Sequence, residues 1–260
     1  MWNTLFFQPL VNALIWLYLV LGQNFGLAII ALTSIIRGAM APLTAPSLKS
    51  AEKLRSLQPE ISALKEKYGS NKQEFAKKQL ELYQKYGVNP AAGCLPQIVQ
   101  IVILIALFQA FNQILRSNGD TMVKLNEILY APLKLAEGAV INTRFLYLDL
   151  TKPDTFAIPA INFGLFKLDK LPGLFLIASA VTQFLSSKLM MPASSATIAK
   201  AQKTPQQADD MAAAMQSQML YLMPAMTLFI GFSFPSGLVL YWLTFSLLML
   251  IQQLWLKRKN

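Results

Sequence analysis

Long apolar runs alternate with short charged stretches along this chain, and one charge falls inside an apolar run. An α-helix needs about 20 apolar residues, at about 1.5 Å rise each, to cross the hydrocarbon of a bilayer. On that measure five spans are expected, at residues 25–46, 90–115, 171–189, 218–234 and 235–260, the last ending in a short basic tail. The fourth and fifth meet at Pro235 and Ser236, with no longer linker between their apolar runs, and are expected to form a tight hairpin. Ahead of them, the apolar stretch within residues 1–24 is broken off by Gly22 to Asn24 and carries Trp16 and Tyr18, residues suited to the headgroup region. It is expected to lie in the interface as a helix, not as a sixth span. With no basic leader and no small-residue cleavage motif, it is expected to remain on the mature chain.

Residues 47–89 follow a different pattern. Leu48, Ala51, Leu54, Leu57, Ile61, Leu64 and Tyr68 recur every three or four positions, which lays one apolar stripe along a charged helix. Pro59 is expected to kink or interrupt it. Gly69 supplies a stop, and Asn71 with Glu74 three residues later supplies the cap of a second helix bearing Phe75, Gln79, Leu82 and Tyr86 on one face. A helical hairpin in the cytosol, or lying on the headgroups, is the expected result. The segment 116–170 holds Pro132, Pro153 and Pro159 and keeps no steady period, so the sequence leaves its fold open. The polar stretch 190–217 has little to bury and reads as flexible. The fold class is therefore that of an all-α membrane protein.

Composition agrees: 54% of residues are hydrophobic and only 14% charged, which excludes an ordinary soluble domain. A net charge of +10 raises the question of nucleic acid, and the location of the charges answers it. Between spans one and two, Lys49 to Asn89 holds nine Lys/Arg against five Glu; Lys188 to Gln218 holds three against two, and the tail adds Lys257, Arg258 and Lys259. The segment Arg116 to Lys170 holds seven basic and six acidic residues. By the positive-inside rule the N-terminus is expected outside and the C-terminus in the cytoplasm. Contact of the tail with ribosomal RNA stays open. One cysteine, Cys94, and no histidine leave no disulfide framework, no Cys/His zinc site and no histidine acid/base pair. Cys94 reads as a small packing residue before span two.

The misplaced charge is Arg37, in "SIIRGAMAPLT". A guanidinium stays ionised at physiological pH, and holding one at the centre of a span costs about 2.5 to 3.5 kcal/mol on insertion scales. Arg37 could snorkel to the headgroups from about two turns inside the cytoplasmic end of span one. Pairing with an acid inside the membrane fails, because none of the five spans contains Asp or Glu. The remaining reading is a charge hydrated in a cavity, for which Thr33, Gln97, Gln100, Gln183 and Tyr241 are the polar candidates. Each alone reads as an interhelical hydrogen bond. Together they suggest a wet groove without a deprotonatable group, which argues against a proton-coupled pump.

Four stretches, "FGLAIIALTSIIRGAMAPLT", "LQPEISALKEKYG", "YQKYGVNPAAGCLPQIVQ" and "FPSGLVLYWLTFSLLMLIQQ", resemble in order the YidC family of bacterial membrane protein insertases, of the Oxa/Alb superfamily. The resemblance implies five transmembrane helices around a hydrophilic groove whose arginine matches Arg37, with Thr33, Gln100, Tyr241 and Trp242 lining the path of the entering chain. Trp242 stands where tyrosine is common; Gln97 and Gln183 join the set on their polarity. It also implies the bacterial plasma membrane, nascent membrane proteins as substrates, the lipid bilayer as their destination, and the ribosome and the Sec translocon as partners, with no cofactor. The short tail departs from members whose long basic tails tether ribosomes, and neither a large extracytoplasmic domain nor a lipoprotein-type cysteine is expected before span one.

Other classes fit less well. A small-solute channel or transporter would use the same polar cavity, but the internal symmetry that usually marks one is missing. A membrane enzyme would need a nucleophile with a base or a metal set, and no phosphate-binding glycine motif is present. A mere scaffold would tolerate loss of Arg37.

Overall fold

The structure is a computed structural model that describes residues 2–88, 95–115, 119–136, 139–163, 166–190 and 220–259. Cys94 and nearly all of the 190–217 stretch lie outside the described residues.

A π-helical turn, Asn3–Phe7, runs directly into α1, Gln8–Val20. Pro9 sits in the first turn of α1, where a missing N–H removes no intrahelical bond, so it does not stop the helix. The combined helix Asn3–Val20 is long and apolar enough to cross a membrane, where the sequence pattern suggested a shorter interfacial piece. Val11, Leu14, Ile15 and Tyr18 follow helical spacing and are buried. Gly22 and Gln23 adopt positive φ to reverse the chain, and Asn24 Oδ1 accepts from Leu27 N at 3.0 Å to open the next helix.

That helix, α2, is Phe25–Ser56: 32 residues, or about 48 Å. It passes through Pro42 and Pro46, so the expected end of span one at residue 46 is not a helix end. Proline removes single backbone bonds, and the apolar stripe beginning at Leu48 carries the helix on. The break comes at Leu57, just before Pro59 in the first turn of α3, Gln58–Tyr68. Helix α4, Lys72–Lys85, starts at the expected cap: Asn71 Oδ1 accepts from Glu74 N at 3.3 Å. The two helices close on Leu57, Ile61, Leu82 and Val88, and Tyr86 Oη donates to Glu60 Oε1 at 2.8 Å across them.

Helices α5, Leu95–Leu115, and α6, Gly119–Ile128, follow. The segment that the sequence left open then forms two antiparallel hairpins, β1 (Arg144–Phe145) with β2 (Leu148–Asp149) and β3 (Thr155–Phe163) with β4 (Phe166–Pro172). Among the described residues these strands depart from an all-helical chain. The β3–β4 register shifts between Ala157 and Ile161, around Pro159, which has no N–H for the ladder. Helix α7 is Leu174–Met190, α8 is Leu220–Gly231 and α9 is Ser236–Lys259. The α8–α9 connection is Phe232 to Pro235, with Ser236 already helical, so the turn lies earlier than expected.

Besides Asn3–Val20, the stretches Phe25–Leu54 and Ser236–Leu256 are long and apolar enough to cross a membrane, while Val99–Ile114, Leu174–Leu189 and Leu220–Gly231 are apolar but shorter. The protein is thus a mostly helical membrane protein. Its main core joins α1, α2, α5, α6 and the start of α9 at one end of the bundle, with Tyr18, Phe25 and Phe111 in successive edge-on contacts.

The stretch from Asp149 to Asp154 holds two helix N-termini. Asp154, only 2% exposed, accepts from Leu176 N at 2.8 Å through Oδ2 and from Tyr147 Oη at 2.9 Å through Oδ1. The Tyr147 oxygen in turn accepts from Leu174 N at 3.0 Å, so otherwise unpaired donors of α7 are satisfied and a carboxylate faces its positive end. A Cβ at Gly173 would collide with the Asp154 carboxylate, which restricts that position to glycine. Likewise Ser236 N donates to Lys152 O at 2.7 Å and Gly237 N to Leu150 O at 3.1 Å, tying α9 to the same turn.

Replacing Asp154 by alanine should destabilise the protein by about 1 to 3 kcal/mol, read as a lower thermal midpoint in detergent. Burial pushes the Tyr147 hydroxyl above the usual tyrosine range. The folded state then keeps a proton that the unfolded chain releases, so this stabilisation is present below about pH 10 and is lost as pH rises through the folded value. Tyr147→Phe should flatten the alkaline loss of stability in a pH series of thermal midpoints.

Candidate functional site

On α9, Tyr241, Phe245 and Gln252 are spaced by four and seven residues and share one face. That face meets α2 and α5. Arg37 of α2, 7% exposed, donates from Nη2 to Gln252 Oε1 at 2.9 Å, and its guanidinium carbon stands 4.8 Å from the centre of the Phe245 ring. The ring face attracts the cation, and the carbonyl dipole adds a second neutral acceptor. Gln252 Nε2 points the other way, donating to Thr44 Oγ1 at 3.1 Å and reaching Ala41 O at 3.4 Å. Arg37, Ala41 and Thr44 lie four and three residues apart on one face of α2, so a single carboxamide spans them.

Arg37 Nε is buried and has no hydrogen-bond acceptor. Among the described residues no carboxylate bonds to the guanidinium. The group is therefore cationic, oriented and under-satisfied, able to accept a further oxygen ligand, above all a negative one.

Tyr241, 1% exposed, receives a hydrogen bond from Gln100 Nε2 of α5, and its ring lies 6.2 Å from that of Phe245. Gln100, Tyr241, Phe245, Arg37, Gln252 and Thr44 thus form one continuous run across α5, α9 and α2. Of the residues expected from sequence, this run contains Arg37, Gln100 and Tyr241.

The others are placed differently. Thr33 is buried one turn before Arg37, and its hydroxyl donates to Ile29 O at 2.6 Å, within its own helix. Trp242 is partly buried against the main apolar core. Gln183 accepts from Thr227 Oγ1 and links α7 to α8, away from the arginine. Gln97 belongs to α5, but its side chain lies outside the described residues. The opposite side of α9 faces α7 through Ser179 Oγ to Val239 O (3.3 Å), the Thr182–Ser246 hydroxyl pair (2.8 Å) and Ser186 Oγ to Gln253 Oε1 (2.9 Å).

Sequence reasoning missed Phe245, Gln252 and Thr44. A signal existed for two of them: Phe245 follows Tyr241 by one turn and Gln252 by three, in a helix without an acidic residue. What the sequence lacked was any sign of which neighbouring helix that face meets.

The pattern of the family described as "60Kd inner membrane protein" matches residues 16–260. The chain is 33% identical over 238 residues to "Membrane protein insertase YidC" of Fusobacterium nucleatum subsp. nucleatum, covering 91% of this chain and 88% of that protein. It is 33% identical over 245 residues to "Membrane protein insertase YidC 2" of Bacillus anthracis, covering 93% of this chain and 75% of that one. Against "Membrane protein insertase YidC" of Oleidesulfovibrio alaskensis it is 32% identical over 259 residues, but it spans only 39% of that longer relative.

If the Phe245 ring stabilises the cation, a double-mutant cycle of Arg37→Met and Phe245→Leu should give a coupling of about 0.5 to 2 kcal/mol. Thermal or denaturant unfolding of the four proteins in detergent measures it.

Proposed function

The chain belongs to the 60Kd inner membrane protein family, and we propose that it moves nascent membrane proteins from the cytosol into the lipid bilayer without hydrolysing a nucleotide. The names of its relatives support this reading. One structural observation supports it most directly: a buried, permanently charged arginine held, among the described residues, by neutral groups, with a donor to spare.

The chemistry required is transfer. A substrate helix enters lipid favourably, but the polar segment that must cross with it loses its water and cannot follow unaided. A hydrated groove bounded by α2, α5 and α9 shortens that crossing. Arg37 attracts acidic groups of the translocated segment, and Gln100 and Tyr241 line the path, with Thr33, Trp242 and Gln97 on the three helices that bound it; Gln183, in the α7–α8 contact, is outside it. Apolar walls carrying exposed Met223, Met226 and Phe229 of α8 release the substrate span sideways with little sequence preference. Hydrophobic transfer supplies the driving force, assisted by the membrane potential at about 2.3 kcal/mol per charge per 100 mV.

In this reading the protein has five spans in the bacterial inner membrane, with its N-terminus outside and its C-terminus in the cytoplasm. The α3–α4 hairpin then stands on the side where ribosome, Sec components and nascent chain arrive.

Arg37→Ala should lower insertion of a single-span substrate with an acidic translocated tail about tenfold in proteoliposomes, while Arg37→Lys largely preserves it. Equal activity of wild type and alanine variant would refute the role of the charge. Photo-crosslinkers at Gln100 and Tyr241 should capture a stalled nascent membrane chain in preference to crosslinkers at exposed Trp16 of α1.

A further inference from the structure

Gln252 touches Arg37 through a hydrogen bond and is anchored to the same helix by its other end. We propose that Gln252 is a positioning residue, which keeps the guanidinium aimed without neutralising it, so that an arriving carboxylate, and not a resident one, completes its coordination. This rests on the groove-charge reading above and concerns how selectivity for acidic segments is set.

The orientation of the carboxamide follows from its partners. Its Oε1 faces Arg37 Nη2 at 2.9 Å, and its Nε2 faces Thr44 Oγ1 at 3.1 Å and Ala41 O at 3.4 Å. A flipped amide would set N–H against N–H at the arginine and carbonyl against carbonyl at Ala41, so the network admits one orientation. Gln252 therefore presents a fixed acceptor, and α2 itself holds that acceptor in place. With the Phe245 ring at 4.8 Å, the cation is fixed by two groups, neither of which carries a charge.

Neutrality is the point on which the proposal turns. Glutamate has nearly the same shape, but a carboxylate at this position would form an ion pair with the guanidinium, adding the attraction of two full charges to a bond in which only the donor is now ionised. The arginine would then be satisfied from within and indifferent to substrate. A glutamine carbonyl orients the cation yet yields to a carboxylate. The neighbouring Gln253, by contrast, faces Ser186 on α7 and has no part in this.

The test uses the purified full chain in proteoliposomes with two single-span substrates, one carrying two aspartates in the translocated tail and the other two asparagines. Gln252→Glu should lower insertion of the aspartate substrate about tenfold more than that of the asparagine substrate. Gln252→Met, which fills the space without an acceptor, should lower the aspartate substrate selectively and by less. Equal losses for both substrates would mark Gln252 as a merely structural contact and overturn the proposal, as would no change in either variant. Arg37→Ala matching wild type on the aspartate substrate overturns the charge reading and this proposal together. A defective Arg37→Ala beside a wild-type-like Gln252→Glu overturns this proposal alone.

Discussion

A guanidinium that cannot shed its proton has to be held by something, and here α2 and α9 hold it with groups that carry no charge. That constraint orders much of the surrounding structure. It requires an aromatic face and a carbonyl on the same side of α9, hence the four- and seven-residue spacing of Tyr241, Phe245 and Gln252. It requires the carbonyl to be oriented, hence the acceptors Thr44 and Ala41 on α2. It also requires that neither helix bring a carboxylate nearby, and the first acidic residue of α2 is Glu52, four turns beyond Arg37.

The two ends of the bundle use different physics. Around Phe25, Phe111 and Ile15 the contacts are apolar and close, and they give the protein a rigid core. Toward Arg37 and Gln252 the helices meet through hydroxyls, carboxamides and one cation, contacts that can exchange partners without opening a void. The sides of α9 are likewise divided: one meets α2 and α5 through the arginine run, and the other meets α7 through a ladder of Ser, Thr and Gln.

Much of this was legible in the sequence because it depends on local signals. The Asn71–Glu74 cap, the interruption before Pro59, the reversal at Gly22 and the misplaced Arg37 each follow from a few neighbouring residues. Features set by distant residues were not legible. Helix α2 runs on past Pro42 and Pro46, with Thr44 and Ser47 buried between and after them, whereas proline alone suggests an ending. Gln252 is 215 residues from Arg37, and one glutamine in an apolar helix does not announce which neighbour it faces. The β1–β2 and β3–β4 hairpins have too short a period, interrupted by Pro159, to stand out from loop. Thr33 illustrates the converse: its position beside Arg37 was readable, but its hydroxyl bonds the backbone of its own helix.

The turn from Asp149 to Asp154 grips the first residues of both α7 and α9 by backbone and side-chain bonds. At their other ends these two helices are joined by exchangeable contacts such as Ser186 to Gln253. One short turn therefore fixes where both helices begin, and their mutual register is handed on from there, rung by rung, along the Ser, Thr and Gln contacts.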